Sequence, residues 1–405
     1  MRKAMVLAGG LPQIELIKEL KFRGYYTILI DYTLHPIAEP YADKFYCEST
    51  LDIPTVMKIA IEEKIDIIIT CCTDQAMLTV SIVAEKLGLP CYINEKIGKV
   101  ATNKQYMKRM FKDNGIPTAK YAIVNNMEEL KNFQYPLVVK PVDCNSSKGV
   151  LKVYDEDQAQ KALMRAISLS RTHKAVIEEY IEGKEVSVDI FVENKKARIL
   201  CTSISEKIAD NKHFVIYKGR YPADIDKKIY GEIEKISQHI VDAINIVNGP
   251  MLIQYLIKDD KPYVIEYGAR TGGCVKYRMI ELASGVNVIK ATVDLFDGKN
   301  PEITLKPFDG VIVDEFVYCK EGVLDHIEGM EDCLKSNSTS EIYVLKENKA
   351  TFNKVTCSTD RVIAIVIVAQ NYEEYVKKHN AIANSIKVID DKGIDIMRHD
   401  LYPEI

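Results

Sequence analysis

Up to about residue 95 the chain alternates between short, almost wholly apolar runs and longer segments whose apolar residues recur every three or four positions. Residues 4–8, 27–30 and 65–70 have the length and character of buried strands. Between the first two, Ile14, Leu16, Ile17 and Leu20 form one apolar stripe, and residues 74–87 carry another. Strand and helix in turn predict βαβ units and a parallel sheet.

The pattern then changes. Residues 103–115, NKQYMKRMFKDNG, predict a helix that Gly115 ends, with Pro117 just beyond. Residues 137–139 predict a buried strand and 157–170 an amphipathic helix. Residues 175–192 read as two strands about a short linker, with Val186, Val188, Ile190 and Val192 sharing a face of the second. Residues 197–204 and 213–217 extend an antiparallel sheet, and a long helix over 226–247 follows. Past Gly310 come β-rich segments (311–318, 342–345, 361–368), one helix at 372–386, and a polar loop at 336–340.

Residues 251–278 stand apart from this. Two apolar strands flank an acidic turn at Asp259 and Asp260, and each has one polar residue in its middle, Gln254 and Glu266. A three-residue loop at 259–261 predicts that Gln254 lies opposite Glu266 on one face. Arg270, Gly272 and Gly273 follow directly. Two oxygen donors side by side with a cation four residues on suit Mg²⁺ and an anion. They suit a core poorly, because unpaired buried charge is costly.

Composition narrows the class. The 405 residues are enough for two or three domains with substantial cores. A net charge of −4 leaves no footprint for nucleic acid or an anionic membrane. No run approaches the ~18–20 apolar residues of a membrane span. The N-terminal MRKAMVLAGG resembles a leader, but its apolar stretch stops after Ala8, and a first buried strand is the better expectation. Ten cysteines without any C-x-x-C, and no His/Cys cluster at zinc spacing, predict reduced thiols in a cytoplasmic protein.

Several stretches carry candidate chemistry beside a plainer reading. Gly9 and Gly10, with Asp31 downstream, suggest a dinucleotide loop, yet AGGLPQIE is not G-x-G-x-x-G, and Pro12 sits where the loop would open into its helix. A support domain whose strand ends hold a substrate is preferred. Lys140 leaves a buried strand into a polar loop with Asn145, Ser146, Ser147, Lys148 and Gly149, which suits phosphate oxygens or is an ordinary surface loop. It is not a Walker A loop. Lys104 at a helix start reads in isolation as a solvated surface charge, and Glu178 and Glu185 near strand edges are compatible with plain solvent-facing carboxylates.

The order of these pieces resembles the ATP-grasp superfamily across nearly the whole chain. A Rossmann-like domain, a lysine helix, Lys-Pro with a Ser/Gly loop, E-E-Y-I-x-G-x-E, and a Gln/Glu hairpin ending in arginine follow one another in the family's sequence. The resemblance implies a Rossmann-like parallel-sheet N-terminal domain (1–98) and a two-subdomain ATP-grasp fold with antiparallel sheets (99–182 and 183–310), completed by a β-rich segment (311–405). It makes Lys104 and Lys140 the phosphate lysines, with Ser146, Ser147 and Gly149 in the covering loop. Glu178, Glu179, Tyr180 and Ile181 become the hinge whose backbone holds adenine, and Glu185 the ribose carboxylate. Val138, Leu256 and Ile265 become the apolar walls, Gln254 and Glu266 the metal ligands, and Arg270 the catalytic residue. His213 is a weaker match beside the γ-phosphate, or a surface strand histidine.

One departure stands out. The family's commoner E-x-N-x-R is here Glu266-Tyr267-Gly268-Ala269-Arg270, so residue 268 offers no side-chain ligand. The form E-x-G-x-R-x-G-G looks most like the carboxylate–amine and amino-acid ligases. The resemblance therefore implies an ATP- and Mg²⁺- (or Mn²⁺-) dependent ligase that joins a small-molecule carboxylate to an amine through an acyl phosphate. Phosphoribosylglycinamide-synthetase-like and carbamoyl-phosphate-synthetase-like ligases are the near alternatives. A phosphotransferase and a non-catalytic ATP-binding protein are the alternatives of other classes. A biotin carboxylase is disfavoured, since no carrier domain or Met-Lys-Met is present. Thr73, Asp74 and Gln75, residues 206–213, and 270–278 with Lys276 and Arg278 are expected around the substrate. Partners are expected to be small molecules and a second copy of the chain through the N-terminal domain, with no nucleic acid and no membrane.

Overall fold

The computed structural model describes residues 1–210, 212–336 and 340–405. The middle of the polar loop expected at 336–340 thus lies outside the described residues. The chain begins with a four-stranded parallel sheet in the order Lys44–Cys47, Tyr26–Asp31, Lys3–Leu7, Ile67–Ile69. The helix after the last strand, Asp74–Leu87, opens at its C-terminal end, where a doubly wound sheet places ligands. Asp31 is not free for a ribose. Its carboxylate accepts the N–H groups of Gly9 and Thr33, each at 2.7 Å, and so tightens the first turn.

Two antiparallel sheets follow. The smaller runs Tyr121–Val124, Ala175–Glu179, Leu137–Pro141, Leu151–Val153. Strand alternation sends Leu137, Val139 and Ile177 into a core under the helix Glu156–Leu169, and leaves Val138, Lys140 and Glu178 on the opposite face. The larger sheet has eight strands: Lys261–Gly268, Gly249–Lys258, Lys184–Glu193, Lys196–Lys207, Ile216–Tyr221, Val311–Val317, Ile363–Ala369, Ser340–Val344. One face buries Val186, Val188, Ile190, Val192, Met251, Ile253 and Tyr255 under the helix Lys227–Ile244. The C-terminal segment therefore shares a sheet with the hairpin. The division expected at residue 98 falls inside the helix Glu95–Thr102, which packs with the next helix, Lys104–Asp113, against the large sheet.

The hairpin reaches its register by a different route from the one expected. Its loop has two residues, Asp259 and Asp260, both at positive φ (50° and 57°), and Lys258 pairs with Lys261. Continued without a break, that register would set Gln254 against Ile265. A bulge between Gln254 and Tyr255 inserts one extra residue, and Gln254 faces Glu266 after all. The bulge also breaks the alternation. Val264 and Tyr267 remain in the core, while Ile265 and Glu266 both line the cleft.

Candidate active site

The faces of the two antiparallel sheets enclose a cleft of about 280 Å³. Val138 comes from one side, and Leu256, Ile265, Phe214 and Ile216 from the other. Lys104, Lys140, Glu185, Gln254 and Glu266 supply its charged and polar lining. Most of the residues expected from sequence thus meet in one place, although they are spread over more than 160 positions. The volume is near the lower end of the roughly 300–1,000 Å³ usual for small-molecule sites. The loop after Lys140 is docked on its surroundings. Ser146 and Ser147 both take left-handed φ (55° and 60°), Ser147 Oγ donates to Phe214 O at 3.0 Å, and Ser146 O accepts the Ser358 N–H at 3.1 Å. Gly149 turns the loop back at φ 74°, where a Cβ would press on Leu169 and Pro141. It shapes the loop without lining the cleft.

Asn103 positions Lys104. Its side chain caps the helix Lys104–Asp113 through the Gln105 N–H at 2.9 Å, placing Lys104 at the first turn. Lys104 Nζ then donates to Cys144 O at 2.8 Å and pairs with Glu266 at 3.1 Å. Burial pushes Glu266 up, but Lys104, Lys140 and Arg270 outweigh it and hold the carboxyl below its usual range. Gln254 Nε2 donates to Glu185 Oε1 at 3.2 Å, which turns its amide oxygen away from Glu185. Glu185 is also paired with Lys207, so a ribose would share an already partnered carboxylate.

Glu178 departs from its expected role. Inside a central strand, it presents its carboxylate to the cleft, paired with Lys140 at 2.8 Å and Lys108 at 2.7 Å. Burial pushes the carboxyl up, yet the two lysines outweigh this and bring it down to about 2. Of the hinge residues, Glu179 and Tyr180 already donate their N–H groups to Lys120 O and Pro136 O, each at 3.0 Å. Ile181, the last of the four, also lines the cleft. His213 is also corrected. The strand begins at Ile216, the His213 ring is bound to Asp210 at 2.5 Å, and Phe214 takes the place in the wall.

Lys108 was not anticipated. It is 1% exposed, donates to Thr118 Oγ1 at 2.6 Å, and burial lowers its ammonium to about 8. A signal existed: Lys104, Met107, Lys108 and Phe111 fall on one helical face, and two lysines on an apolar face call for a partner.

Beyond Glu266, the cleft leads to a small polar chamber lined by Asp74, Gln75, Lys104, Gln254, Gly268 and Arg270. Asp74, the first residue of its helix, holds Arg270 in a two-pronged pair, with Nε to Oδ1 at 2.7 Å and Nη2 to Oδ2. Thr73 stays outside, accepting from Gln13. Lys276 and Arg278 are not open anion sites. Lys276 donates to Ser203 Oγ at 3.0 Å beside Asp314, and Arg278 is bound by Glu341 and Glu281.

A nucleotide triphosphate fits this donor set, with apolar walls at one end and two lysines at the other. An amide oxygen and a carboxylate side by side fit a hard divalent cation. The fold and cleft define a protein of two antiparallel sheets that face each other across a lysine-lined site. Residues 101–274 match the family model described as "ATP-grasp domain". It is 29% identical over 294 residues to the carbamoyl phosphate synthase large chain of Clostridium acetobutylicum, covering 69% of this chain and 27% of that one. It is 22% identical to the L-arginine-specific L-amino acid ligase of Bacillus subtilis, over 80% of this chain and 82% of the ligase. The crystal structure of an L-amino acid ligase from Bacillus licheniformis superposes with a TM-score of 0.81 at 19% identity, over 96% of this chain and 99% of the other. The chain thus spans only about a quarter of the first of these relatives.

Proposed function

We propose that the protein is an ATP- and Mg²⁺-dependent ligase that joins a carboxylate to an amine. The observation that carries this is the single cleft in which Lys104, Lys140, Gln254 and Glu266 lie beside a chamber holding Arg270. In this reading a substrate carboxylate attacks the γ-phosphorus of ATP, releasing ADP and leaving an acyl phosphate. The amine then attacks the acyl carbon and phosphate departs. Lys104 and Lys140 offset phosphate charge, and Arg270 stabilises the oxyanion at the acyl carbon. The loop at 144–149, docked on Phe214 and Ser358, keeps water from the mixed anhydride. A divalent cation held by Gln254 and Glu266 would neutralise further phosphate charge.

The similarity to amino-acid ligases supports an amino acid as the carboxylate donor. A second copy bound through the N-terminal domain and a cytoplasmic location belong to the same reading. The test is phosphate release with ATP and Mg²⁺ across a panel of amino acids and phosphorylated amines. Ligation requires that ADP and phosphate appear with an amide, and only when both acid and amine are present. Phosphate transfer to one substrate alone would replace this reading with a kinase.

A further inference from the structure

Residue 268 lacks the side chain that the family pattern puts beside the metal carboxylate, and the structure shows what occupies that space. Past the bulge the pairing is regular, so strand alternation sets Glu266 and Gly268 on the same face, with Tyr267 buried between them. A Cβ on Gly268 would lie 2.6 Å from Asp74 Oδ1 and 3.3 Å from Arg270 Nε, the two sides of one ion pair. An asparagine's own side-chain oxygen lies about 2.4 Å from its Cβ by standard bond lengths. Asp74, reaching in from the N-terminal domain, therefore puts an oxygen at nearly the distance from the strand that an asparagine here would. It shares the small chamber with Gln254 and Glu266.

We propose that Asp74 is the third protein oxygen donor of the divalent-cation site, replacing across the domain boundary the ligand that Gly268 lacks. The proposal rests on the ATP-dependent reading above and deepens it. Asp74 is bound to Arg270 as the structure stands. Taking up a cation exchanges that partner and frees the guanidinium for the acyl oxygen. Cation binding and the release of Arg270 become one event, and both require the N-terminal domain.

The test is Mn²⁺ binding to the full chain, read by electron paramagnetic resonance in the presence of a non-hydrolysable ATP analogue. Asp74→Ala is expected to weaken Mn²⁺ roughly tenfold or more, as loss of a metal-site group commonly does. Asp74→Asn, which keeps an oxygen at the same place, should bind more tightly than Asp74→Ala. Gly268→Asn alone should be weak, because its Cβ collides with Asp74. The double variant Asp74→Ala/Gly268→Asn should recover most of the affinity. Wild-type Mn²⁺ affinity in Asp74→Ala, equal affinities of the Ala and Asn variants, or no recovery in the double variant would each overturn the proposal. Glu266→Gln separates the two levels. If it weakens Mn²⁺ and Asp74→Ala does not, only this inference fails. If the wild type binds no Mn²⁺ at all, the ATP-dependent reading fails with it.

Discussion

The two ends of the cleft hold charge in opposite ways. On the smaller sheet, Lys108, Glu178 and Lys140 are 1%, 6% and 3% exposed and come from one helix and two neighbouring strands. Folding itself makes these pairs, and nothing needs to move for them to act. At the far end, Asp74, Lys104, Glu266 and Arg270 come from the N-terminal domain, a helix start, a bulged strand and the residues just past it. Their side chains are 11–32% exposed, and each ion pair offers a partner that a ligand can take over. Buried paired charge builds a fixed electrostatic frame. Half-buried charge that crosses a domain boundary is what chemistry can rearrange.

The sharpest way to break this contrast is to neutralise one carboxylate at each end. Glu178→Gln leaves two buried ammoniums short of a counter-charge and is expected to cost about 3–5 kcal/mol in urea unfolding. Glu266→Gln, at a more exposed pair whose Lys104 keeps its bond to Cys144 O, should cost clearly less. Equal losses would erase the distinction. The same carboxyl governs the acid limb. Glu178 titrates at about 2 in the fold against an ordinary 4.5, so its stabilisation is complete above 4.5 and fades as pH falls toward 2. Unfolding across that window should be less pH-dependent in Glu178→Gln.

Next in size is Arg270→Ala. Loss of one oxyanion donor typically costs roughly 10²–10³ in turnover, about 3–4 kcal/mol of barrier. Nucleotide affinity should hold, since Arg270 stands outside the main cleft. Turnover equal to wild type would remove its catalytic role. The smallest effect is expected of Ile265→Ala, which trims the apolar wall the bulge creates. About 1 kcal/mol of lost contact predicts roughly fivefold weaker nucleotide binding by calorimetry, with stability nearly unchanged. A large stability loss instead would show that Ile265 serves the core.

What could be read from the residues alone tracks how local the cause is. Helices and strands follow from apolar periodicity, and residues 74–87 form the expected helix to the residue. Gln254 and Glu266 could be paired because register depends on near neighbours, although the two-residue turn and compensating bulge were not visible as such. Lys108 was legible in principle from its helical face, while its partner Glu178, 70 positions on, was not.

The order of elements, the run of motifs from Lys104 to Arg270 and the missing side chain at residue 268 are all written in the residues. Which charges are already paired emerged from packing alone. It took Lys276, Arg278 and His213 out of the open site, made Glu178 a buried counter-charge, and brought Asp74 to Gly268 across 194 positions. The reason is physical: covalent spacing sets what a strand or helix presents, but a charge acquires its meaning from whatever the fold packs within about 4 Å of it.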